Sequence, residues 1–145
     1  MIQRIQSLYL LLSAIISAAL IYMPLFLLPP KAMEAQSGVA NMYYINSNSF
    51  LLILNFAIGA LSLITIFFYK NRKLQIRSCR LGLMLIFLMI ALLFYSSDTL
   101  SGGLDGKVTF KAGVYFPLIQ IVFMFLAQRG IKKDDELVRS ADRLR

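Results

Sequence analysis

Apolar residues along this chain come in four long blocks separated by polar or basic stretches, without the three-to-four-residue alternation of a helix that is half in water. The first block covers residues 5–28, the second 50–69, the third 79–97 and the fourth 112–128. About twenty apolar residues in a helix cross the roughly 30 Å hydrocarbon core of a bilayer, so each block is read as a membrane-spanning helix. The pattern predicts an all-α membrane protein: a single domain, residues 1–145, forming an antiparallel four-helix transmembrane bundle. Pro24 is read as a kink near the far end of the first helix, and Pro29-Pro30 as its stop, because proline brings no amide donor. Arg4 followed by an apolar run resembles the start of a signal peptide. The run continues well past the small residues Ser17, Ala18 and Ala19, so it is read as a retained first helix.

The intervening stretches differ in kind. Residues 29–49 and 98–111 are polar and rich in turn formers, and are read as outer loops. Within them, Met42-Tyr-Tyr-Ile45 and Lys107-Val-Thr-Phe-Lys111 have strand character, and the two are expected to pair with each other. Residues 70–78 read as a tight basic connection. Residues 129–145 form a tail in which Asp134-Asp-Glu136 precedes Arg139, Arg143 and Arg145, an order that suits a helix dipole. Leu137, Val138, Ala141 and Leu144 share one face, so the tail is expected to be a separate short amphipathic helix.

Charge sets the orientation. The chain carries 15 Lys and Arg against 7 Asp and Glu, a net charge of +8. Twelve of the cations lie at the N-terminus, in the 70–80 segment and in the tail. Only Lys31, Lys107 and Lys111 lie in the other two loops. Cationic flanks stay cytoplasmic, so both termini are expected inside, in a bacterial cytoplasmic membrane. Tyr9, Tyr22, Tyr69, Tyr95 and Tyr115 fall near block ends, as interfacial anchors do.

Composition then removes whole classes of chemistry. Hydrophobic residues make up 59% of the chain, against roughly 45–50% in soluble domains. There is no histidine and one cysteine, Cys79, so the usual zinc and haem sites lack ligands, as does a dithiol redox centre. No Asp, Glu, Lys or Arg lies in the middle of a block, which argues against proton-coupled transport. No phosphate loop or nucleophile–base pair is present. We expect no catalytic residue, metal or cofactor. The neutral polar residues inside the blocks include Ser13, Ser17, Asn55, Thr65 and Gln120. Asn55 and Gln120 are expected to face each other, either as packing amides or as the lining of a polar pocket.

The opening Met1-Ile-Gln-Arg-Ile-Gln-Ser-Leu-Tyr-Leu-Leu-Leu12 and the closing Lys133-Asp-Asp-Glu-Leu-Val-Arg-Ser-Ala-Asp-Arg-Leu-Arg145 resemble domain of unknown function 4293. The resemblance implies a small four-span inner-membrane protein of the kind found in the Bacteroidota. It carries over location and topology, and no mechanism. Two functions from different classes are then expected. The first is a non-enzymatic accessory or structural subunit of a larger membrane complex. It would use Arg72, Lys73, Arg77, Leu137, Val138, Arg139 and Arg143 to meet a protein partner, anionic lipid or ribosomal RNA. The alternative is a small transporter or lipid-binding protein with a neutral cavity at Asn55, Gln120 and a helix break at Pro117.

Overall fold

The computed structural model describes residues 3–28, 42–102 and 108–143. Among these, four α-helices carry most of the chain: α1 (Gln3–Leu20), α2 (Ser49–Phe67), α3 (Arg72–Gly102) and α4 (Phe116–Arg143). Helices α2, α3 and α4 are long and apolar enough to cross a membrane. The apolar part of α1, Ile5–Leu20, is shorter and rises about 24 Å at 1.5 Å per residue.

Each helix packs on two others: α1 on α2 and α4, and α3 on α2 and α4. Side-chain pairs fix the directions. Ser13 meets Ser62 while Ser17 meets Asn55, so α1 and α2 run antiparallel. Gln6 meets Asp134 while Ser13 meets Gln120, so α1 and α4 do too. On α3 and α4, Gly82 lies against Met124 and Arg72 bonds Asp134. Ten residues back along α3 match ten forward along α4, so one antiparallel register covers both contacts. One end of the bundle therefore gathers the start of α1, the α2–α3 connection and the last turns of α4. We call it the basic end, and the opposite one the sheet end.

Three short strands close the sheet end: β1 (Pro24–Leu27), β2 (Met42–Tyr44) and β3 (Thr109–Phe110), in the order β2-β1-β3, both pairs antiparallel. The first helix was expected to run to residue 28, and it stops at Leu20. Proline disfavours helical backbone in the residue before it and brings no amide, so Pro24 ends the helix and opens a strand. The ladder shifts register between Pro24 and Phe26, where proline is tolerated. The two segments with strand character do become strands. They do not pair with each other, because each takes one edge of β1. Leu25 and Phe26, neighbours in β1, are fully buried. Phe26 packs against Tyr43 and Phe110, with ring centroids 5.8 and 5.6 Å away. Gly113 sits where a Cβ would come 2.6 Å from the Pro24 carbonyl oxygen, a backbone atom that cannot swing aside.

Other boundaries move as well. The basic segment is not a free connection: a single 3-10 turn, Phe68–Lys70, joins α2 to α3, and Arg72 already opens α3. Residues 98–102, expected in a loop, continue α3, with Thr99 and Ser101 hydroxyls bonding the carbonyls of Tyr95 and Ser97. The tail is not a separate helix, because α4 runs unbroken to Arg143. The sequence there has no Gly or Pro to stop it after Gly130. Pro117 lies in the first turn of α4, where a missing amide costs nothing, and makes no internal break. Helix α2 starts where Asn48 Oδ1 accepts the Phe50 amide at 3.0 Å, an ordinary N-cap. Residues 29–41 and 103–107, both part of the outer-loop reading, lie outside the described residues.

Candidate functional site

Polar side chains line the seam where the helices meet. On α1, Gln6, Ser13 and Ser17 are buried, and seven- and four-residue spacings put them on one face. On α2, Asn55, Ser62 and Thr65 do the same. Toward the sheet end, Asn55 Nδ2 donates to the Ser17 carbonyl at 2.9 Å. Gln120 Nε2 donates to Ser17 Oγ at 2.6 Å and to the Ser13 carbonyl at 3.1 Å. Asn55 and Gln120 thus both reach residue 17 of α1, without an amide–amide bond between them. Midway, Ser13 and Ser62 hydroxyls lie 3.3 Å apart. Helices α1 and α2 come this close because Gly59 has no side chain: a Cβ there would stand 3.1 Å from that of Ser17.

Two acceptors in the seam receive nothing. Asn55 Oδ1 and Gln120 Oε1 are buried without a hydrogen-bond partner. Beside them an open groove between α1 and α2, of about 270 Å³, is lined by Ala14, Ala18, Gly59, Ala60, Ser17 and Asn55 among others.

The basic end is closed differently. Asp134 is buried within α4 and accepts Gln6 Nε2 at 2.6 Å. Arg72 Nη1 donates to the Asp134 backbone carbonyl at 3.0 Å, tying α3 to α4. Gln75 Nε2 donates to the Thr65 carbonyl at 3.1 Å, which also accepts the Phe68 amide at the end of α2, so the start of α3 is tied to the end of α2. The sequence reading missed Gln6, Gln75 and Asp134 as organising residues. The signal was present in Gln6, which stands seven residues before Ser13 on the same α1 face. The acidic trio does not share a site. Asp134 points inward, while Glu136 is exposed and lies 3.9 Å from Lys132. Among the described residues no group of three Asp, Glu, Cys or His residues is placed to hold a metal.

The seven expected contact residues separate into three groups. Arg72 is half-buried and holds α4 from within, so it is a positioning residue more than a contact. Lys73 and Arg77 are exposed on the side of α3. Leu137 and Val138 are 51% and 44% exposed on the part of α4 that continues past Asp134. Arg139 and Arg143 are in that same stretch of helix, and their side chains lie outside the described residues. Cys79 is fully buried, away from the basic surface that its sequence neighbours suggest. Tyr22, Tyr69, Tyr95 and Tyr115 are exposed near helix ends, whereas Tyr9 packs inward on Phe123 at 6.2 Å.

The family described as Domain of unknown function (DUF4293) matches residues 2–144 of the chain. No curated protein and no solved structure matches it.

Proposed function

This chain belongs to the family domain of unknown function 4293, and we propose that it is a non-enzymatic membrane subunit that presents the end of α4 to a protein partner. In this reading all four helices cross a bacterial inner membrane, with the short α1 packed against α2 and α4 and the basic end in the cytoplasm. Cation placement supports that orientation. The open sheet edges support it too, since unpaired strands stay out of hydrocarbon and belong at the outer surface.

The observation that carries the subunit reading is the overhang of α4. The helix continues past the bonds that Asp134 makes to α1 and α3, as far as Arg143, and it exposes Leu137 and Val138 there. Two adjacent exposed apolar side chains on a continuous helix, followed in the sequence by two arginines, suit a groove with an acidic rim. The bundle interior supports the same reading, since its amide donors are spent on holding helices together. The test is purification from the native host at native expression in a mild detergent. A complex of fixed stoichiometry is expected, and the double substitution Leu137→Glu with Val138→Glu should release the chain from it. Recovery of the unaltered chain alone contradicts the reading.

A second reading rests on Asn55 Oδ1 and Gln120 Oε1, the two buried acceptors without donors. They favour a neutral site for a small solute or lipid hydroxyl, and hence a transporter or lipid-binding role. If the unaltered chain is recovered alone and Asn55→Leu abolishes the cellular function without unfolding the chain, this second reading replaces the first.

A further inference from the structure

Three exposed arginines lie on the sides of α3 and α4, away from the overhang. The register set by Gly82 against Met124 and Arg72 against Asp134 puts Arg77 level with Arg129, and Arg80 level with Leu126. Lys73 is level with Lys133, further out. All of these cations are exposed. Arg77, Arg80 and Arg129 make no ion pair or hydrogen bond with other described residues. Neither helix has an acid nearby on this face: α3 has none from Arg72 to Ser97, and α4 none from Phe116 to Lys133.

These cations continue faces that are otherwise apolar. Lys73, Arg80, Phe87 and Phe94 follow one another at seven-residue intervals on α3, all exposed. On α4, Val122 and Arg129 are seven apart, as are Leu118, Phe125 and Lys132, all exposed. The two faces border one groove, because Phe94 and Leu118 both line it toward the sheet end. Arg80 is flanked by exposed Leu81 and Met84, and its level on α4 is that of exposed Leu126. A cytoplasmic protein reaches the tips of helices. A side face of this composition, with cations directly above exposed Leu, Met and Phe, meets the head groups and chains of lipid.

We propose that Arg77, Arg80 and Arg129, with Lys73 above them, form a binding site for an anionic phospholipid whose chains lie along the α3–α4 groove. Guanidinium groups bond phosphate oxygens in pairs, and arginine extends its stem along apolar surface while its head reaches the interface. Lys132 is left out, since it is held by Glu136. The inference rests on the membrane reading above and is independent of a protein partner.

The test uses the full-length chain, delipidated in neutral detergent, and native mass spectrometry with dioleoyl phosphatidylglycerol, dioleoyl phosphatidylcholine or inorganic phosphate. The phosphatidylglycerol adduct should persist at concentrations where phosphatidylcholine does not. Each arginine contributes about fivefold in lipid affinity, so R77Q/R80Q/R129Q should lose most of that preference. The lysine triple R77K/R80K/R129K should keep part of it. Leu137→Glu with Val138→Glu should leave lipid binding unchanged, which separates this site from the partner surface. Equal retention of the two lipids by the unaltered chain overturns the proposal whatever the variants do. So does displacement of phosphatidylglycerol by millimolar phosphate, or full preference in the glutamine triple.

Discussion

At the sheet end of the bundle, the chain closes with backbone. Three strands bond to one another, and aromatic rings from all three, Tyr43, Phe26 and Phe110, pack together. At the basic end, single side chains reach across from one helix to the next, Gln6 to Asp134, Arg72 to the Asp134 carbonyl, and Gln75 to the Thr65 carbonyl. The first arrangement ties that end together through backbone bonds and buries Leu25 and Phe26. The second leaves the outward faces of the same helices free to carry cations, and it lets α4 project. Closing the two ends by different means leaves the exposed cations of α3 and α4 and the end of α4 together at one of them.

Four substitutions break or sharpen that contrast, each read by unfolding in detergent together with hydrogen exchange. Phe26→Ala should have the largest effect, about 3–5 kcal/mol, since it empties a fully buried site between two rings. Exchange should rise at 24–27 and 109–110 while the last turns of α4 stay protected. If protection falls equally at both ends, the ends are one cooperative unit and the contrast fails. Gln6→Leu should cost about 1.5–3 kcal/mol, the range for a bond to a charged group, with its loss confined to the basic end. Asn48→Ala removes the α2 N-cap and should cost about 1 kcal/mol. Asn55→Leu should be smallest, near the average of about 0.6 kcal/mol for an interhelical bond in a membrane. A stabilising outcome there would mean that the unmet Oδ1 outweighs the bond made by Nδ2.

The sequence revealed the helices better than it revealed their ends. Blocks such as Leu81–Tyr95 are unambiguous because nothing polar interrupts them. The strand Pro24–Leu27 was hidden because it is as apolar as the helix before it, and both periodicities vanish in a uniformly apolar run. The lone Pro24 was the available sign, and it was read as a kink. Strand character in residues 42–45 and 107–111 was visible, but their common partner was not, since pairing depends on where α1 stops. In the tail, amphipathicity was legible and its continuity with α4 was not. Of the site residues, Asn55 and Gln120 stood out as amides in apolar blocks. Asp134 did not, because an acid beside two lysines and two further acids looks like solvated surface until Gln6 is seen to meet it.

The account depends most on α1 crossing the bilayer despite its short apolar stretch, and on the basic end facing inward. Both are tested by labelling intact spheroplasts with a membrane-impermeant maleimide in a Cys79→Ser background that carries Gln3→Cys, Tyr22→Cys or Ser140→Cys. Tyr22→Cys should be labelled at once, and the other two only after the membrane is opened. Labelling of Gln3→Cys and Tyr22→Cys from the same side, or of Ser140→Cys from outside, would contradict the account.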